Sequence, residues 1–406
     1  MQTCMGSSRR ARCALVSTLS LLACDPGSAP PPGLEAGLEP EAGLEPEAGP
    51  EPEAGPEPEP GAVRYELGEP VTLLGDGALG LSYFPDMGVV PLDRTDGERL
   101  LVTAGNRTYL VEGESLTSLT AASVVLEPGA PGEFDNGYAG ISAGLQTSEG
   151  AMFGFYHAED HEGLPVIEPS GVPGYYGSIG AAVSHGGGRT WEKLGQVITS
   201  SVPKFQFSYE GQADSGADGP GLVLEKSGRY AYLYYTEHSR VDERGIVICM
   251  ARADLSQGDP APGAWHKYYN GEFTEPGIGG RDTPVITAEM RDDAEPMYPR
   301  VVYSPALQQY LMVLNVNFWR EYLDATGPEH SGVFYALSDD GIRWSEPRRL
   351  WVDFALPQPG RSLSWEVTFL PDDLAGDRGW LVYGYSENWP TVPHYMVGRR
   401  FEIWQN

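Results

Sequence analysis

Between residues 83 and 400 the chain repeats one pattern: short runs of aromatic and β-branched residues, taken three at a time and broken by Gly, Pro, Asp and Asn. The clearest triplets are 137–145, 151–157 and 177–184, then 219–225, 230–236 and 245–253. Two more follow, 297–304, 310–315 and 332–338, then 363–370, 380–385 and 394–400. An earlier one reads 83–90, 100–104 and 108–111. No stretch sustains the 3.6-residue period of an amphipathic helix, so the reading is all-β. Five sets across residues 63–406 come to about 70 residues each, long for a repeat but reasonable with loops.

A fourth run follows the third in three sets, each time after a Trp: 191–195, 265–269 and 344–347. The last set lacks one after Phe401-Glu402-Ile403-Trp404, whereas residues 65–71 parallel the outer segment 193–197. Pairing that early strand with the last set closes a ring and removes a free sheet edge. The expected fold is therefore a five-bladed β-propeller closed by an N-terminal strand on the last blade, with a pair of β-sandwiches as the rival. Two turns add to this. Ser184-His185-Gly186-Gly187-Gly188-Arg189-Thr190-Trp191 resembles the sialidase-type Asp box, S-x-D-x-G-x-T-W, with Gly186 at the Asp position. Ser338-Asp339-Asp340-Gly341-Ile342-Arg343-Trp344 is one residue shorter and keeps Asp340. Such turns are hairpins capped by polar side chains with the Trp packed on the blade, a fold signature and not an active site.

The N-terminal residues are of another kind. Arg9, Arg10 and Arg12 precede a short apolar stretch that ends Leu21-Leu22-Ala23-Cys24. This resembles a bacterial lipoprotein signal, 1–23, cleaved before Cys24 so that its thiol carries lipid; an ordinary secretory signal is the alternative. Residues 24–62 are mostly Pro, Glu, Ala and Gly with a six-residue period and no apolar face to bury, which reads as a disordered stalk. The expectation is an exported monomer, lipid-anchored at a bacterial cell envelope. Cys4 and Cys13 leave with the signal, and Cys249 stands alone in Ile246-Val247-Ile248-Cys249-Met250, so no disulfide framework exists. Cys249 reads as a small buried hydrophobe.

Charge narrows the function. The chain has 27 Lys and Arg against 57 Asp and Glu, net -30; without the three Arg and ten acids of residues 1–62, 24 and 47 remain, net -23. Phosphate binding needs a basic surface, so a nucleic-acid partner is not expected. No Cys and His spacing suggests zinc, no cofactor is expected, and a structural calcium has abundant Asp but no EF-hand spacing.

In a propeller the substrate site lies at the channel mouth, where the ends of first and second strands meet. The second runs end alike: Phe155-Tyr156-His157-Ala158-Glu159-Asp160-His161, Tyr234-Tyr235-Thr236-Glu237-His238, Leu314-Asn315-Val316-Asn317-Phe318-Trp319, and Tyr383-Gly384-Tyr385-Ser386-Glu387-Asn388-Trp389. The first runs add Asp86, Asp218, Arg300 and Glu366. Facing carboxylates are what glycosidic bond cleavage needs, one protonated to donate to the leaving oxygen and one ionised to activate water or attack the anomeric carbon. Trp and Tyr offer flat faces to sugar rings, and His, Asn and Arg bind hydroxyls.

At these residues the chain resembles the five-bladed glycoside hydrolases, the group of arabinanases, β-xylosidases and fructan-cleaving enzymes. Pro85-Asp86 is similar to their early aspartate, and Asp218-Gly219-Pro220 followed by Tyr230-Ala231-Tyr232-Leu233-Tyr234 to their acidic strand and the aromatic strand after it. The resemblance implies Asp86 as base, Asp218 as acid or as the neighbour that tunes it, and Glu237 as the alternative acid. His157, Glu159, His238, Arg300, Asn317, Trp319, Glu366 and Trp389 are the candidate carbohydrate-binding residues. The expected activity is hydrolysis of an oligo- or polysaccharide. The alternatives are a non-catalytic carbohydrate-binding lipoprotein and, on the Asp-box turns, a sialidase.

Overall fold

The computed structural model describes residues 63–92, 97–147, 150–167, 172–206, 214–239, 245–287, 295–317, 332–351, 361–389 and 394–405, with main chain only at 167, 172, 317, 361–363 and 387–389. The chain enters with β1 (Val63–Leu67) and β2 (Val71–Leu74), then makes five successive antiparallel meanders. The first is β3 (Val89–Pro91), β4 (Glu98–Ala104), β5 (Arg107–Ser115) and β6 (Ser118–Leu126). The second is β7 (Tyr138–Gln146) and β8 (Met152–Asp160), a small hairpin of β9 (Val166–Ile167) and β10 (Val172–Pro173), then β11 (Tyr175–Ser184) and β12 (Glu192–Thr199). The third is β13 (Asp214–Leu224), β14 (Tyr230–Glu237), β15 (Val247–Asp254), β16 (Trp265–Tyr269) and an added β17 (Glu272–Pro276). The fourth is β18 (Glu295–Ser304), β19 (Gln309–Asn317), β20 (Gly332–Ser338) and β21 (Arg348–Trp351). The fifth is β22 (Arg361–Pro371), β23 (Arg378–Trp389) and β24 (His394–Gln405), and its fourth strand is β1, antiparallel to β24 from Val63 opposite Gln405 to Leu67 opposite Phe401.

Alternation along the strands explains why the meanders stack. In β14, Ala231, Leu233 and Tyr235 pack into a cluster with β8 and β11, whereas Tyr232 and Tyr234 pack on the other face with β19 and β20. A strand buried on both faces has no solvated side, hence its nearly continuous apolar text. Five such clusters lie between successive meanders, and one of them joins Leu370, Val382 and Met396 of the fifth to Val89, Leu100 and Val102 of the first. Truncating fully buried Leu233 to Ala would open a cavity costing about 2–5 kcal/mol.

Two strand expectations need correction. Of residues 83–90 only the last two belong to a strand; Tyr83 and Gly88 are left-handed, and Pro85 has no N–H to give a ladder. The fourth strand of the fourth meander starts at Arg348, not at Trp344, because Pro347 likewise interrupts the ladder. Both Asp-box-like turns form as expected. Ser184 Oγ accepts from the Gly188 N–H at 2.9 Å and Trp191 Nε1 donates to Gly188 O at 2.9 Å, while Asp340 Oδ1 accepts from the N–H groups of Ile342 and Arg343 at 2.8 Å each. Trp344 packs edge-on to Tyr234, with ring centroids 5.7 Å apart.

Candidate active site

The first strands carry the device that shapes the site. Their ladders slip at Ile141/Ala143, Asp218/Gly221, Met297/Arg300 and Trp365/Thr368 in β7, β13, β18 and β22, the last of which slips once more at Arg361/Leu363. At three of these the backbone turns left-handed, at Gly219, Tyr298 and Glu366. Gly does so freely, whereas Tyr and Glu pay a conformational cost of about 1–2 kcal/mol. Bulges re-aim side chains, and these sit where the ends of second strands lie beside the starts of first strands: Asp218 opposite Thr236, Tyr138 opposite Glu159, Ser364 opposite Tyr385.

Six side chains from the second and third meanders form an alternating chain of imidazoles and carboxylates. His161 Nε2 lies 2.7 Å from Glu159 Oε2, and Glu159 Oε1 lies 3.0 Å from His157 Nε2. His157 Nδ1 lies 2.7 Å from Asp218 Oδ1, Asp218 Oδ2 lies 3.2 Å from His238 Nε2, and His238 Nδ1 lies 2.5 Å from Asp214 Oδ2. His157, Asp218 and His238 are buried, while His161 and Asp214 are partly exposed. Burial opposes charge on the two inner imidazoles, but the carboxylates on either side outweigh it and raise both to about 10. Burial likewise works against the Asp218 carboxylate, yet the His157 charge and hydrogen bonds from both imidazoles hold it well below its ordinary range. Glu159 is lowered by His157 and His161 against the same burial. Asp218 is thus a fixed anion with no proton to give.

A second group faces this chain. Asp86 Oδ2 accepts from the Tyr138 hydroxyl at 2.8 Å. Asp86 is half-buried by surface yet enclosed by protein, and desolvation raises its carboxyl well above 3.8, with Glu366 and Glu159 adding to the rise and the Tyr138 hydrogen bond opposing it. Glu366 is buried, and desolvation lifts it to about 8, Arg300 opposing and the Asp218 charge adding. Three tyrosines join them. The hydroxyl of Tyr298 feels Asp218, Glu366, Asp214 and Asp86; that of Tyr175 feels Asp218, Asp214 and Glu159; that of Tyr83 feels Asp86, Glu366 and Glu159.

Arg300 is a tie between meanders. Its Nη1 donates to Gly219 O at 3.0 Å in the third meander, and its Nη2 to Met87 O at 2.8 Å beside the first and to Glu366 Oε2 at 3.3 Å in the fifth. These protein acceptors occupy the guanidinium, so it is spent on the scaffold and not held out to a substrate carboxylate. The three gathered arginines that a sialidase needs do not form around it among the described residues.

Of the sequence candidates, Asp86, His157, Glu159, Asp218, His238, Arg300 and Glu366 come together. Glu237 does not. It is fully buried on the other face of β14, where burial and the Asp282 carboxylate raise its carboxyl and Lys267 opposes them. Lys267 is itself fully buried, donating to Thr199 O at 2.6 Å and Gly280 O at 2.8 Å, with Asp282 Oδ2 at 3.4 Å. Thr236 precedes Glu237 and uses its hydroxyl to accept from the Tyr298 N–H at 2.9 Å, which fixes the strand face that Glu237 turns away from. Asn317 and Trp389 end β19 and β23, but their side chains, like all of Trp319 and Cys24, lie outside the described residues. Sequence reasoning missed Tyr138, Tyr175, Tyr298 and Asp214. The repeated text Tyr83-Phe84-Pro85-Asp86 and Tyr298-Pro299-Arg300, a Tyr just before a Pro and a charged residue, was the signal for Tyr298. Among the described residues no group of three His, Cys, Asp or Glu is arranged to hold a metal ion.

No protein-family model matches the chain, and no curated protein matches it. Solved structures do. One described as a glycoside hydrolase superposes with a TM-score of 0.53 at 14% identity, over 84% of this chain and 93% of that one. An alpha-L-arabinofuranosidase from Lactobacillus brevis gives 0.49 at 13% identity over 78% and 92%, and an endo-arabinase from Bacteroides thetaiotaomicron gives 0.43 at 12% over 79% and 93%. The first of these likenesses shows that the fold is all-β and glycoside hydrolase-like.

Proposed function

We propose that the chain is a carbohydrate-cleaving hydrolase built as a five-bladed β-propeller, each meander a blade and β1 the outer strand of the last. Support for the ring comes from the five clusters between successive meanders and from the Val89 N–H, which donates to Thr368 Oγ1 at 3.2 Å between the first and fifth. One juxtaposition carries the reading of the chemistry: Glu366, buried against Arg300, and Asp86, bonded to the Tyr138 hydroxyl, are two carboxyls in one enclosure, where desolvation raises Glu366 to about 8 and the Glu366 charge raises Asp86 in turn. Enclosed together, the two carboxyls disfavour each other's charge, so one keeps its proton while the other ionises. Glu366 gives its proton to the glycosidic oxygen as the C–O bond breaks, and Asp86, ionised with the help of the Tyr138 hydroxyl, takes the proton of the water that attacks the anomeric carbon. Asp218 holds the field and the two imidazoles in place. The tyrosines offer rings and hydroxyls to the sugar.

The same proposal puts the protein at a bacterial cell envelope as a monomer, carried by a lipid on Cys24 and a stalk of residues 24–62, on the strength of the N-terminal sequence. A second reading, a carbohydrate-binding propeller without turnover, is favoured by Asp218, which stands where the resemblance puts the acid and yet has no proton to donate. Aryl glycosides separate the two. Glu366→Gln should lose about 100-fold or more on natural linkages but far less on substrates whose leaving group needs no proton, while Asp86→Asn should lose both. Wild-type rates in both variants would remove Asp86 and Glu366 from the chemistry.

A further inference from the structure

Beside the site lies an exposed aromatic that the chemistry above does not use. Phe205 sits on a short 3-10 turn, Lys204–Gln206, and is 74% exposed. Its ring is nevertheless held. Lys204 Nζ lies 5.2 Å from the ring centroid and 2.7 Å from Asp160 Oδ1, the same oxygen that accepts from Asn136 Nδ2 at 2.7 Å and from the Glu162 N–H at 3.0 Å. The edge of the ring rests on Gly163, where a Cβ would stand 3.5 Å away. Asp160 is the chain neighbour of Glu159 and His161, and His161 lies against the Tyr175 ring with centroids 6.0 Å apart, so the patch is continuous with the site. An apolar face beside an ammonium and the Asp160 carboxylate that holds it suits a sugar, whose C–H face stacks while its edge hydroxyls bond to the rim.

We propose that Phe205 is the platform of an outer sugar subsite, which takes a ring of the same oligosaccharide whose cleaved bond lies at Asp86 and Glu366. This rests on the carbohydrate reading, and it makes that reading more specific: the preferred ligand is an oligosaccharide long enough to reach the rim, not a single glycoside. Phe205 is exposed, so its replacement leaves the fold intact.

The test compares the full-length wild type, Phe205→Ala and Phe205→Trp on short and long arabino-, xylo- and fructo-oligosaccharides, by initial rates and by calorimetric binding. Phe205→Ala should raise KM or Kd for the long members by about fivefold to tenfold, with kcat and the short members unchanged, and Phe205→Trp should restore the wild-type preference. A wild type that acts on or binds these sugars while Phe205→Ala matches it at every length overturns the subsite alone. A wild type that neither binds nor cleaves any of them overturns the carbohydrate reading and the subsite together.

Discussion

Glu366 should weaken the fold at neutral pH, and its replacement by Gln should strengthen it. Burial lifts the carboxyl from 4.5 to about 8, so the folded chain retains a proton that the unfolded chain has released. For an acid displaced upward, the full stability is present below the unfolded value and falls as pH climbs toward the folded one, by about 1.4 kcal/mol per pH unit. Between pH 4.5 and 7 the loss is about 3 kcal/mol. In Glu366→Gln the amide keeps the shape of the protonated carboxyl and does not titrate, so the variant escapes this loss. Urea unfolding of both proteins across this range reads the difference directly. It should be near zero at the acid end and reach about 3 kcal/mol at pH 7, several degrees in Tm. A difference that stays constant with pH, or a variant that becomes the weaker protein toward pH 7, would refute a protonated Glu366. The 3.3 Å contact with Arg300 would then be an ordinary ion pair.

Asp218→Asn removes the anion shared by His157 and His238 and should cost about 3–5 kcal/mol in urea unfolding near neutral pH; a cost under about 1 kcal/mol would mean the two imidazoles are not charged there. In the wild type the same pairs stabilise fully below about pH 6.5 and lose their contribution as pH rises through about 10, which alkaline unfolding monitored by Trp fluorescence should register. Lys267→Met leaves Asp282 buried without its cation and should destabilise by about 3–5 kcal/mol, with a wild-type unfolding midpoint arguing against the pair. Tyr138→Phe withdraws the hydrogen bond that favours ionised Asp86, so the acid limb of the pH–rate profile should move up by about one pH unit; an unmoved limb would mean that Asp86 is not the base.

The fold was legible because each strand set announces itself in local text. Apolar runs such as Tyr230-Ala231-Tyr232-Leu233-Tyr234-Tyr235 are buried on both faces, and Gly and Pro punctuate the turns. The pairing of β1 with β24 was visible as well, since the last set lacks an outer strand and the text near Tyr65 supplies one. The candidate site was legible as a list of charged strand ends, but not as an arrangement. Glu237 ends β14 and His238 follows it, yet the first turns to Lys267 and Asp282 and the second to Asp218, and a bulge of one residue decides which acid reaches the centre. Left-handed Glu366 lies in the text Ser364-Trp365-Glu366-Val367, which reads as plain strand, so nothing local told that its carboxyl is turned inward and desolvated. The buried Lys267 was hidden for the same reason: its partners Thr199, Gly280 and Asp282 come from segments far apart in the chain.

The most direct test of the central claim is the release of reducing ends from a broad panel of glycans by the full-length protein as a function of pH. The account predicts turnover of an oligosaccharide with a basic limb near pH 8, where Glu366 gives up its proton, and the loss of that limb together with the activity in Glu366→Gln. Binding of a glycan without turnover at any pH, unchanged by Asp86→Asn and Glu366→Gln, would contradict it and make the chain a carbohydrate-binding protein.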